Sequence, residues 1–186
     1  TGSMLFDSAT GGTMTFAGAN LAEDEFLAVT FASSDVGSQT FTMATRGLRL
    51  GGALVIDSIT ILAKDTFTLT VGGALDLATG EVNVITSTSG AVTITGNVTI
   101  SDATAYIDFG SETWTVSGDW TNSTTSASWD AGSGTVTFDD ATAGAMTFAG
   151  ANLAEDEFSA VTFASTAAGS QTFTLATRGL RLGGAL

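Results

Sequence analysis

Residues 136–186 restate residues 4–54 at an offset of 132, and 41 of the 51 aligned positions are identical. The segment Met14 through Phe26, MTFAGANLAEDEF, returns unchanged as Met146 through Phe158. The sequence therefore divides into a short lead of residues 1–3, one full unit over 4–135, and the first part of the next unit over 136–186. Near-identical tandem units are building blocks that stack on one another, and a chain made of them is read as an array before any other fold is considered.

A shorter period lies inside the unit. Two apolar residues spaced by two, followed two later by a small or turn-forming residue, recur as Met4/Phe6/Ser8, Val29/Phe31/Ser33, Leu48/Leu50/Gly52, Leu69/Val71/Gly73, Val92/Ile94/Gly96, Trp114/Val116/Gly118, Val136/Phe138/Asp140, Val161/Phe163/Ser165 and Leu180/Leu182/Gly184. The six steps from Ser33 to Ser165 sum to 132 and average 22 residues. A second ladder follows eight to eleven residues behind, as Met14/Phe16, Phe41/Met43, Ile59/Ile61, Val82/Val84, Ala105/Ile107, Ala127/Trp129, Met146/Phe148 and Phe173/Leu175. Four coils add a further apolar position, Leu54, Leu75, Val98 and Trp120.

Alternation of apolar residues with threonine, as in Thr93-Ile94-Thr95 or Thr135-Val136-Thr137, is the pattern of a half-buried strand. One coil of such strands has nothing to bury its inward side chains against, whereas stacked coils cover one another. The expected fold is all-β: a parallel β-solenoid, or β-helix, of about 22 residues per coil and six coils per unit. Right-handed winding is the default for parallel crossovers. Tandem β-sandwich repeats are the alternative, since antiparallel sandwiches also alternate. A near-constant spacing of one three-position code argues against them.

Composition narrows the function. The chain has no Cys, His or Pro, which removes disulfides, the usual zinc ligands and imidazole acid–base chemistry. Nineteen acidic against five basic residues give a net charge of −14, which repels phosphate backbones and makes a nucleic-acid partner an unpromising reading. No membrane span and no signal peptide are visible, and the chain starts and stops in mid-pattern, so targeting signals are expected elsewhere in a longer protein.

The stretch Trp114-Thr115-Val116-Ser117-Gly118-Asp119-Trp120-Thr121-Asn122, with Gly132-Ser133-Gly134-Thr135-Val136-Thr137-Phe138 after it, resembles a "T-V-x-G-D-W-x-N … G-x-G-T-V-x-F" pattern of very large repetitive surface proteins of bacteria and archaea. The resemblance implies a secreted β-solenoid in an adhesin-type or filament-type protein, extracellular or at the cell surface. It carries over no catalytic residues.

Several residues invite a site reading. Glu23, Asp24 and Glu25, copied as Glu155, Asp156 and Glu157, place carboxylates where Ca²⁺ could be held, although the Asp/Asn/Gly spacing of known calcium loops is missing. Solvated loop charge is the plainer reading, and no cofactor is expected. Arg46, Arg49, Arg178 and Arg181 hold four of the five positive charges and suit pairing with the acidic triplets, within one chain or between chains. Asn97 and Asn122 each begin a glycosylation sequon. The Thr-x-Thr rows resemble those of ice-binding solenoids, but in sequence they look irregular. Clustered Asp, Arg and Lys of the kind elongated carbohydrate-active solenoids need are absent, so no enzyme is expected. The sequence points instead to a structural extracellular stalk, filament or sheath component, acidic and threonine-rich, whose main partner is itself through tandem units or head-to-tail and lateral assembly. A surface adhesin taking a glycan or a cell-surface receptor is the alternative.

Overall fold

A computed structural model of the chain describes residues 3–7, 10–15, 26–33, 39–57, 60–77, 83–124, 129–139, 145–148, 157–164, 172–176 and 180–183. Within them all regular structure is strand, and every pairing is parallel. Parallel pairing throughout excludes the antiparallel sandwich and establishes the β-solenoid.

The chain enters through β1 (Ser3–Asp7) and β2 (Gly12–Thr15), then β3 (Ala28–Ala32) and β4 (Gln39–Ala44). Regular three-strand coils follow: β5 (Leu48–Leu50), β6 (Leu54–Ile56) and β7 (Thr60–Asp65), then β8 (Leu69–Val71), β9 (Leu75–Leu77) and β10 (Asn83–Ser87). Next come β11 (Val92–Ile94), β12 (Val98–Ile100) and β13 (Tyr106–Asp108), and β14 (Thr113–Val116), β15 (Trp120–Asn122) and β16 (Trp129–Asp130). The last described strands are β17 (Thr135–Asp139), β18 (Ala145–Phe148), β19 (Ala160–Ala164) and β20 (Thr174–Ala176). They stack into three sheets. One has eight strands in the order β1-β3-β6-β9-β12-β15-β18-β20, and two have six, β16-β13-β10-β7-β4-β2 and β19-β17-β14-β11-β8-β5.

Each strand offers alternate side chains to the interior, and strict register lines them up along the axis. Leu54, Leu75, Val98 and Trp120 form one inward rank, and Leu48, Leu69, Val92, Trp114, Val136 and Val161 another. All ten are at most 2% exposed. Full burial of an aliphatic side chain contributes about 1.5–3 kcal/mol, so these ranks, repeated on each face, are what hold consecutive coils together.

Three expectations are corrected. Ile61, placed on the inward ladder, faces outward, and Thr60, Leu62 and Lys64 point inward in its strand. The first ladder is also split between sheets. Met4/Phe6 and Val29/Phe31 belong to the eight-stranded sheet, because Val29 lies over Leu54 and Phe31 over Ile56, whereas Leu48/Leu50 belongs to the third sheet. The same apolar-x-apolar code is used on all three faces, so sequence spacing alone does not say which face a copy occupies. Counting faces from β1 to β17, with Phe26 bridging Leu50 on the third face, gives five complete coils and two further faces per unit, where six coils were expected.

Candidate functional site

Five of the six acidic triplet residues, Glu23, Asp24, Glu25, Glu155 and Asp156, lie outside the described residues, as does Arg178. The sixth, Glu157, accepts a hydrogen bond from Arg181 Nη2 at 2.5 Å, and both side chains remain about one-third exposed. An ion pair this wet contributes under about 1 kcal/mol. Arg49 is exposed on the outer face of β5, level with Thr70, and Arg46 is half-buried on the approach to that strand.

The two sequon asparagines differ sharply. Asn97 is exposed at the bend between β11 and β12, and its Oδ1 accepts the Asp119 N–H at 3.0 Å. Asn122 points inward with no exposed surface, and its Oδ1 accepts the Thr124 N–H at 2.9 Å. A glycan on Asn122 is sterically incompatible with this fold.

The surface-protein pattern acquires a physical account. A Cβ on Gly118 would stand 2.6 Å from Gly96 C and from Asn97 Oδ1, so only glycine lets adjacent coils close at that bend. Asp119 Oδ1 accepts the Ala145 N–H at 2.8 Å, which ties this coil to the first coil of the next unit. Trp120 fills the core, and Asn122 closes the bend beyond it. Gly132, at φ +53°, would bring a Cβ within 2.0 Å of Gly110 O.

One group of residues was missed in sequence. Lys64 is fully buried, and its Nζ donates to Phe67 O (2.7 Å), Ser89 O (2.8 Å), Gly90 O (2.9 Å) and Glu112 Oε2 (2.7 Å). Glu112 Oε1 accepts from Trp114 Nε1 at 2.8 Å and from Ser87 Oγ. Three consecutive coils are thereby tied at one corner. Burial pushes the Lys64 ammonium down from its ordinary value, opposed by Glu112; burial pushes the Glu112 carboxyl up, opposed by Lys64, Ser87 and Trp114. The network is closed to solvent and therefore structural. The available signal was a lysine two residues beyond an inward leucine, in phase with the core.

The outer surface is more regular than the sequence suggests. Thr70, Thr93, Thr115, Thr137 and Thr162 are level with one another on five consecutive strands of the third sheet, a rank about 4.8 Å apart along the axis. On the eight-stranded sheet the corresponding rank is broken by Val55 and Asp76. The Asp76 carboxyl is raised by burial and by the neighbouring Asp57, and its Oδ1 finds no hydrogen-bond donor among the described residues. A carboxyl whose folded pKa exceeds its unfolded value favours the folded state below the unfolded pKa, and that advantage is lost as pH rises through the folded pKa. Asp76→Asn is therefore expected to raise the thermal midpoint at pH 7 and to leave it unchanged at pH 3, read by circular dichroism melts. An equal shift at both pH values would contradict the assignment.

Comparison with family models, with curated proteins and with solved structures gives no match, so the functional reading below rests on residues and geometry.

Proposed function

We propose that the chain is a stretch of a rigid, non-enzymatic array: an extracellular stalk, filament or sheath component that supports adhesion or cell–cell contact. The observation that carries this reading is the unbroken ladder across the unit boundary. β15 of one unit pairs with β18 of the next at Trp120↔Met146, Thr121↔Thr147 and Asn122↔Phe148, and β14 pairs with β17 at Thr113↔Thr135 through Val116↔Phe138. Units joined this way have no hinge between them, and a chain of them is one rod that lengthens by roughly 27 Å per unit, at about 4.8 Å per coil. The net charge of −14 keeps such rods apart in solution.

The threonine rank favours a second reading, an adhesin whose flat face binds a regular surface such as a glycan array or, less readily, ice. Immunogold labelling of source cells with antibody to this chain tests the first reading: label along fibres outside the cell is expected, and label confined to the cell interior would overturn it. Retention of the isolated chain on a glycan array, lost in Thr93→Leu/Thr115→Leu, would favour the second.

A further inference from the structure

The two copies of the repeated segment do not occupy the same faces of the coil. Met14 and Thr15 lie in the sheet of β2, where Met14 is level with Met43, whereas the identical Met146 and Thr147 lie in the eight-stranded sheet on Trp120 and Thr121. Val29 and Phe31 lie in the eight-stranded sheet, and their copies Val161 and Phe163 lie in the third sheet on Val136 and Phe138. Every described segment of the second copy is displaced by one face in the same sense. The face count explains why: a unit of five coils and two faces does not close on a whole number of turns.

The boundary where this happens is a well-packed surface. Trp114, Trp120 and Trp129 form its lower side. Val136, Phe138, Met146 and Phe158 form its upper side, each 1–2% exposed. Trp129 stacks on Phe158 with centroids 4.9 Å apart and planes at 26°, and Trp120 meets Phe138 and Phe158 edge-on. In the first copy the counterparts of Val136 and Met146 are Met4, on the eight-stranded sheet, and Met14, on the sheet of β2.

We infer that each unit of the array stacks on the one before it turned by one face. The tryptophan-bearing coil of one unit meets the next with Trp114 over Val136 and Trp120 over Met146, and each further boundary repeats these contacts one face on. It follows that a feature carried once per unit, such as the threonine rank or the Glu157–Arg181 pair, points in three directions in turn and regains its first direction after three units. An array of this kind presents each feature on all its sides, and a neighbour lying along one side meets it once in three units.

The inference rests on the array reading, yet its test does not: the turn is measured within this chain, which has no native Cys to interfere. Three double variants are compared by reaction with dibromobimane, which fluoresces only when both arms are bound. Thr99→Cys/Thr121→Cys joins level positions of one unit and is the positive control. Thr121→Cys/Thr147→Cys joins positions that are level only when the second unit is turned, and it is expected to fluoresce as strongly as the control. Asp130→Cys/Thr147→Cys would be level in an unturned stack, and it is expected to give no signal. Fluorescence from the Asp130/Thr147 pair, or none from Thr121/Thr147 while the control reacts, overturns the inference and leaves the filament reading standing. Circular dichroism establishes that each variant is folded.

Discussion

Glu112→Gln is expected to destabilise the chain by about 3–5 kcal/mol, the range for leaving one partner of a buried ion pair uncompensated. The substitution is nearly isosteric and isolates the charge. The glutamine oxygen can still accept from Trp114 Nε1 and Ser87 Oγ, while its amide NH₂ is turned toward Lys64 Nζ, donor against donor. Lys64 then holds an ammonium in the core with backbone carbonyls around it and only the neighbouring Asp65 carboxylate as counter-charge. Lys64→Met is expected to be costly for the complementary reason, since it strips those carbonyls of their donor and leaves Glu112 buried without a cation. The two losses overlap, so the double variant should cost less than their sum, with a coupling of about 1–3 kcal/mol. Urea denaturation of the four proteins measures this. Additive losses would mean that Lys64 and Glu112 act independently, contrary to the 2.7 Å contact between them.

Trp120→Ala is the second large effect, at about 3–5 kcal/mol for a buried aromatic removed from a core. Trp120 has no exposed surface and touches Phe109, Trp129, Phe138 and Phe158 with ring centroids 5.6–6.1 Å apart. Its indole N–H has no acceptor among the described residues, so the loss is one of packing alone. Position matters as much as size. Stability in a stack of coils is close to a sum of nearest-neighbour terms, and Trp120 stands at the boundary between units. Hydrogen exchange is expected to accelerate most in β17, β18 and β19, beyond the cavity, with β8 and β9 accelerated little or not at all relative to wild type. Uniform acceleration over all coils would show that the boundary is not where the stack divides.

The solenoid was legible in the sequence because its cause is local and repeated. Apolar-x-apolar pairs at near-constant spacing admit little besides stacked strands, and Leu54, Leu75, Val98 and Trp120, noted as extra apolar positions, are an inward rank of the eight-stranded sheet. What was illegible depends on distant neighbours. Val29/Phe31 and Leu48/Leu50 carry one code yet lie on different faces, because only pairing partners 21 to 25 residues away decide the face. In β7 the apolar Ile61 suggested one phase, but a slip of one residue exchanges the faces of a strand. The opposite phase is satisfied by Lys64, whose partner Glu112 is 48 residues further along. Asn122, which begins a sequon, is drawn inward by the phase of Trp120. The acidic triplets stayed least legible, since they carry no apolar alternation that would set a phase for them.

On the proposed array reading, units join without interruption into a single parallel rod. Cryo-electron microscopy of a chain carrying several consecutive units tests it most directly. Straight, thin particles with a meridional reflection near 4.8 Å are expected, lengthening by roughly 27 Å for each unit added. Beads separated by flexible gaps, with no axial 4.8 Å signal, would contradict it.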